Sequence, residues 1–273
     1  MSEDTLKQRL RDGNTAIGSW ITQGHPAIAE IMAKAGFDWL AVDLEHSAIT
    51  IREAEDLIRV IDLCGVTPLV RVAANDPVHI KRAMDAGARG VIVPMVNSKA
   101  EAGRAVAAAY YPPRGQRGVG LARAQGYGAT FEDYAARHQR DSVVIVQIEH
   151  IRAVEHLNEI LSVDGVDGFF VGPFDLSGSL GVPGNFDHPS VIKALKEIRR
   201  VAQAHRIAPG FHIIPPNPEK ALEKIREGYR LIGYSLDILF LGETCRSGLA
   251  QLRAATSASR PARGARRTAP VRR

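Results

Sequence analysis

The stretch IMAKAGFDWLAVDLEH, residues 31–46, decides how the rest of the chain is read. A helical segment closes on Gly36, a short β-rich run follows, and the run ends in Asp43, Glu45 and His46. A glycine just past a helix end supplies the left-handed turn that sends the chain back into a strand. The same phrase recurs as IDLCGVTPLVRV (61–72), MDAGARGVIVPM (84–95), LSVDGVDGFFVGP (161–173) and IREGYRLIGYSLD (225–237). Adding TAIGSWIT (15–22), SVVIVQIE (142–149) and IAPGFHI (207–213) brings the count to about eight strands, each followed by a helical stretch. The strands read as continuous apolar runs, the pattern of parallel strands covered on both faces. Regular βα alternation at this length predicts an α/β fold, a single (β/α)8 TIM barrel over residues 1–255. A doubly wound open sheet is the competing arrangement, but WITQGHPAI (20–28) stands where its GxGxxG turn belongs.

One segment breaks the rhythm. Residues 111–140, YYPPRGQRGVG and onward, form a long insertion between the fourth and fifth units, read as a functional loop or an element between subunits. Its glycines lack the GK[ST] of a phosphate loop, and HIIPPNPEK and LFLGE near the last strands offer no phosphate cradle, which argues against a phosphosugar or a nucleotide cofactor.

Composition excludes several classes. Of 273 residues, 45% are hydrophobic and 24% charged, enough to bury a full core. The start, MSEDTLKQRL, is charged, and no apolar run reaches ~18 residues, so a cytoplasmic protein with no membrane span is expected. Cys64 and Cys245 fall in predicted helices and are read as buried reduced thiols. The net charge of +5 is local: six arginines and no acid lie in residues 259–273, and removing them leaves the body at −1. Residues 256–273 are therefore expected to be a disordered Arg-rich tail. A non-catalytic barrel binding nucleic acid through that tail is the competing class; the near-neutral body argues against it.

In a barrel the active site forms at the C-terminal strand ends. The polar residues there are Asp43, Glu45 and His46, then Arg71, then Gln147, Glu149 and His150, then Asp175, and finally His212. A single acid at such a place commonly caps a helix or pairs with an arginine. Glu149 and Asp175, from adjacent strands and with Gln147 nearby, instead make an oxygen-rich pocket suited to Mg²⁺ or Mn²⁺. His150 as a third ligand is disfavoured because adjacent strand residues face opposite ways. No predicted strand carries a lysine, so a Schiff-base route is not expected, and any enolate needs a metal and Arg71.

In order and spacing, GFDWLAVDLEH, PLVRV, AMDAGARGVIVPMV, YYPPRGQRGVG, VQIE and VDGFFVGPFDLSGSLG resemble the HpcH/HpaI family of metal-dependent (class II) 2-oxo-acid aldolases, over roughly Gly18 to Asp237. The resemblance implies reversible cleavage of a 4-hydroxy-2-oxo acid to pyruvate and an aldehyde through a metal-stabilised pyruvate enolate, with Mg²⁺, Mn²⁺ or Co²⁺. It implies Glu149 and Asp175 as metal ligands, Arg71 as the group on the oxo oxygen, His46 as general acid–base and Asp85 as the acid orienting it. Asp43 is a nearer alternative to Asp85. Gln147 fits a place beside the metal's waters, and the amide of Gly172 a contact to the pyruvate carboxylate. Family members are dimers grouped into hexamers, so a homohexamer is expected, with the insertion and Leu249 and Leu252 as assembly surfaces. His150, Phe174 and Ser47 depart from the usual threonine, alanine and glycine, and Phe174 would reshape the acceptor pocket. A related enzyme condensing oxaloacetate with another acceptor is the runner-up, and oxaloacetate decarboxylation an expected side reaction.

Overall fold

The computed structural model describes residues 5–205 and 207–258. Its strands are β1 (Ala16–Ile21), β2 (Trp39–Asp43), β3 (Thr67–Arg71), β4 (Gly90–Val93), β5 (Val143–Ile148), β6 (Gly168–Val171), β7 (Ala208–Ile213) and β8 (Leu231–Leu236). They pair in parallel in sequence order, and β8 closes on β1. Around them run α1 (Leu6–Arg11), α2 (Pro26–Lys34), α3 (Ile51–Leu63), α4 (Pro77–Asp85), α5 (Lys99–Ala109), α6 (Phe131–Asp141), α7 (Ile151–Glu155), α8 (Leu157–Leu161), α9 (Pro173–Ser179), α10 (Pro189–His205), α11 (Pro218–Arg226) and α12 (Asp237–Ala258). The fold is the expected (β/α)8 barrel. The glycines that end the recurring phrase adopt the required left-handed turn, as at Gly36 (φ 93°) and Gly87 (φ 105°).

Side chains alternate along every strand and fill two separate cores. Val42, Val70, Val91, Val146, Phe169 and Ile232 face outward into the helix layer. Trp20, Trp39, Leu69, Ile145, Phe170 and Leu231 face inward, and Leu6 and Leu10 of α1 join this interior set. The interior suits two tryptophans because Gly18 faces Trp39 across the β1–β2 ladder. A Cβ at position 18 would overlap both the Trp39 ring and its carbonyl oxygen. Gly18→Ala is expected to lower stability by about 3 kcal/mol, the upper range for overpacking a core. Urea unfolding checks this, and an unchanged midpoint would contradict the packing account.

At three points the structure adds to or departs from the sequence reading. The insertion is largely ordered: it folds as a short 3-10 segment (Arg123–Gly128) followed by α6, and α6 packs against α1. Because it links the end of α5 to the start of β5, it sits at the N-terminal end of the barrel, away from the strand ends of its own chain where a site forms. Cys64 is half-buried and Cys245 exposed, so neither is a buried core thiol. Helix α12 continues to Ala258, past the boundary expected at residue 255, and residues 259–273 of the tail lie outside the described residues. Among the described residues, no helix is long and apolar enough to cross a membrane.

Candidate active site

The C-terminal mouth of the barrel encloses a cavity of about 560 Å³, within the usual size of a small-molecule site. Its construction begins at β2. Trp39, Ala41 and Asp43 share the inward face by the two-residue period, which turns the Asp43 carboxylate into the barrel, 1% exposed. Asp43 Oδ1 accepts the amides of Glu45 (3.0 Å) and His46 (3.2 Å), and Ser47 Oγ donates to the Asp43 carbonyl. This Asx-type turn carries the chain from β2 toward α3 and holds His46 at the rim. Asp43 therefore positions the His46 backbone rather than its ring.

Arg71 is the register partner of Asp43. Its Nε and Nη2 donate to the two Asp43 oxygens at 2.9 and 2.6 Å, and its guanidinium lies 4.5 Å from the centre of the Trp20 ring. Arg71 is thus gripped edge-on by a carboxylate and supported on its face by an indole. Burial would raise the Asp43 pKa, but the Arg71 hydrogen bonds and charge, with the two turn amides, overcome it and the net shift is downward. Glu45 Oε2 approaches Arg71 Nε to 3.3 Å. Burial dominates there, so the Glu45 pKa is raised: Arg71 opposes the rise, while Asp43 and Asp175 add to it.

Glu149 lies one residue past the end of β5, 5% exposed. Its Oε1 accepts the Met95 amide at 2.6 Å and its Oε2 the Gln147 side-chain amide at 2.7 Å. Met95 holds φ at 53° to present that amide, a conformation non-glycine residues rarely adopt. Gly172 packs directly on Glu149: a Cβ there would meet Glu149 Cβ at 2.8 Å and Oε2 at 2.9 Å. Burial first, then the charges of Glu45 and Asp175, push the Glu149 pKa up to about 7, with the Met95 amide opposing. A buried carboxylate crowded by two others calls for a cation.

Of the residues singled out in the sequence, Asp43, His46, Arg71, Gln147, Glu149, Gly172, Phe174 and Asp175 all line this cavity. Two assignments change. Asp85 ends α4 at the opposite end of the barrel, bonded to Arg117 (2.6 Å), so it cannot orient His46 within one chain. The Gly172 amide donates to the Ile148 carbonyl at 3.2 Å, so it has no hydrogen to offer a substrate. The first-turn amides of α9, at Phe174 and Asp175, are the free donors there. His150, disfavoured as a third ligand from sequence, is not among the residues lining the cavity, and its Nδ1 accepts the Arg152 amide as the cap of α7. Glu45, assigned no role from sequence, joins the Arg71 cluster; its place two residues after an inward-facing Asp43 was the available signal. His212 also lines the mouth, with Nε2 3.2 Å from the Ser235 carbonyl. No lysine lines the cavity, and Lys7, bonded to Ser142 and Asp167 beside the starts of β5 and β6, sits at the closed end.

The donor set fits a hard divalent cation. Glu149 and Asp175 supply carboxylate oxygens, and Gln147 Oε1 is buried without a partner. Among the described residues no three His, Cys, Asp or Glu side chains form a metal cage, consistent with an open two-carboxylate site completed by water and substrate.

The HpcH/HpaI aldolase/citrate lyase family model matches residues 16–240. The 2-keto-3-deoxy-L-rhamnonate aldolase of Salmonella gallinarum (strain 287/91 / NCTC 13346) is 35% identical, over 93% of this chain and 95% of its own. A HpcH/HpaI aldolase/citrate lyase family protein from Burkholderia cenocepacia J2315 superposes with a TM-score of 0.86 at 36% identity, over 91% of this chain and 98% of its own. The citrate synthase SbnG superposes with a TM-score of 0.83 at 27% identity, over 93% of this chain and 100% of its own. By these likenesses the chain is an enzyme, an aldolase of the carbon–carbon lyase class, and it belongs to the HpcH/HpaI aldolase/citrate lyase family.

Proposed function

We propose that the enzyme reversibly cleaves a 4-hydroxy-2-oxo acid to pyruvate and an aldehyde, using Mg²⁺ or Mn²⁺, with Co²⁺ as a substitute, held by Glu149 and Asp175. The observation that carries this reading is Arg71, clamped by Asp43 in a mouth that also holds the carboxylates of Glu149 and Asp175. When bound, the metal supplies Lewis-acid charge that lowers the cost of forming the pyruvate enolate. The free amides of Phe174 and Asp175 bind the C1 carboxylate. With Nε and Nη2 committed to Asp43, Arg71 donates to the C2 oxygen through Nη1. His46, its side chain 67% exposed at the rim, takes the C4 hydroxyl proton. The C3–C4 bond then breaks, the C4 oxygen becomes the aldehyde carbonyl, and the electron pair passes through C3 to the C2 oxygen. Protonation at C3 completes pyruvate. Asp85 can assist His46 only from a second copy of the chain, which accords with a hexameric assembly of dimers. A cytoplasmic location and small-molecule partners, without nucleic acid or membrane, complete the proposal.

The second reading, oxaloacetate condensing with another acceptor, draws on the likeness to citrate synthase SbnG. One assay separates them. Pyruvate and an aldehyde, supplied with Mg²⁺ or Mn²⁺, are expected to give the 4-hydroxy-2-oxo acid, and excess chelator is expected to stop it reversibly. Product formed from oxaloacetate and a 2-oxo acid acceptor, with none from pyruvate and aldehydes, would decide for the second reading.

A further inference from the structure

The mouth is chemically two-sided. Going round the barrel, the ends of β2, β3 and β5 carry Asp43, Glu45, Arg71, Gln147 and Glu149. The segments after β6, β7 and β8 contribute Phe174, Ile214, Ile238 and Leu239, joined by Leu236 of β8, and Asp175 sits at the seam. Phe174 is 52% exposed and Ile238 44% exposed, although both line the cavity. The Phe174 ring is braced edge-on by Phe186, with centroids 4.8 Å apart and planes at 88°. Large apolar side chains turned to solvent along one wall of a site mark where an apolar group is received.

Charge points the same way. Among the described residues, Arg71 is the only lysine or arginine lining the cavity, and Asp43 and Glu45 already engage it. His212, the basic group nearest the apolar wall, is kept neutral, because burial pulls its pKa down to about 4. A second carboxylate or a phosphate on the aldehyde would meet no lysine or arginine of this chain's described residues there and would lose its hydration against phenylalanine and isoleucine.

We propose that the acceptor aldehyde carries an uncharged apolar chain, aliphatic or aromatic, seated on Phe174, Ile214, Leu236 and Ile238. This rests on the aldolase reading above and specifies its substrate class. Carbons C1 to C3 occupy the carboxylate and arginine side, and the substituent on C4 extends along the β6–β8 wall.

The test uses the full-length protein with Mn²⁺. Exchange of pyruvate methyl protons in deuterated water reports enolate formation without any aldehyde. Condensation of pyruvate is then compared for hexanal and phenylacetaldehyde against succinic semialdehyde and glyceraldehyde. The apolar pair is expected to show kcat/KM at least ~10-fold higher than either polar aldehyde, the scale of a few methylenes in an apolar pocket. Ile238→Arg is expected to shift the succinic semialdehyde to hexanal ratio at least ~10-fold toward the acid. Phe174→Ala, should the arginine variant not fold, is expected to lower the hexanal to glyceraldehyde ratio similarly. These ratios, taken within one variant, cancel any change in enolate formation. Exchange with equal or reversed preference among the aldehydes overturns the acceptor assignment alone, whereas absence of exchange overturns the aldolase reading and the acceptor assignment with it.

Discussion

Glu149→Ala is expected to abolish aldol cleavage, with kcat/KM falling at least ~10³-fold, because the several kcal/mol that a cation contributes to an enolate-forming step are lost together. Removing Glu149 leaves Asp175 as the lone carboxylate of the pair, too few for useful affinity at an open site. Asp175→Ala should do the same from the other side of the cavity. The two variants differ in their neighbours. Glu149 holds the Met95 and Gln147 groups in place, so its loss also releases the strained Met95 amide. Asp175 is exposed on the first turn of α9, and its removal disturbs little else. Asp175→Ala is thus the cleaner probe: a folded protein with unchanged thermal midpoint, lost Mn²⁺ affinity by calorimetry and lost turnover is the expected outcome. Retained Mn²⁺ affinity in both variants would remove them from the metal site.

Arg71→Lys is expected to lower kcat at least ~10²-fold, the scale of losing one oxyanion donor, with a smaller change in pyruvate affinity. Arginine occupies Asp43 with two N–H groups and still has Nη1 for the substrate. A lysine ammonium is a compact point charge and cannot bridge both at once. The Trp20 face under the guanidinium, at 4.5 Å, gives lysine a poorer seat as well. Single-turnover rates and pyruvate binding, measured on the same preparation, separate the two effects. Weak pyruvate binding with a parental rate on bound substrate would make Arg71 a carboxylate anchor instead.

The barrel was legible in the sequence because five strands, β2, β3, β4, β6 and β8, are announced twice, by a glycine that closes the preceding helix and by an apolar β-run, and the other three were read from the run alone. All eight observed strands fall inside the predicted segments. The polar strand ends were equally plain, since Asp43, Arg71, Gln147, Glu149 and Asp175 each interrupt apolar sequence and do meet in one cavity. What sequence could not carry was pairing between elements. That Arg71 grips Asp43 follows from the β2–β3 register, which exists only once the sheet has formed. The Gly172 amide is claimed by Ile148 through the β5–β6 ladder, a bond invisible in GFFVGP itself. The place of Asp85 was hidden for another reason: a helix of nine residues runs antiparallel to the strands and delivers its last residue to the far end of its own barrel. The helix inside the insertion was not legible because α6 begins without a side-chain capping hydrogen bond, at Thr130, and follows a glycine-rich stretch that masks it.

Loaded with a divalent cation, the Glu149–Asp175 mouth is expected to convert bound pyruvate to its enolate. Solvent exchange of the pyruvate methyl protons, followed by proton NMR in deuterated water, tests this without reference to any aldehyde. Enzyme-dependent exchange is expected with Mg²⁺ or Mn²⁺, with loss in excess chelator, recovery when metal is restored, and none in Asp175→Ala. Exchange that continues undiminished in excess chelator would contradict it.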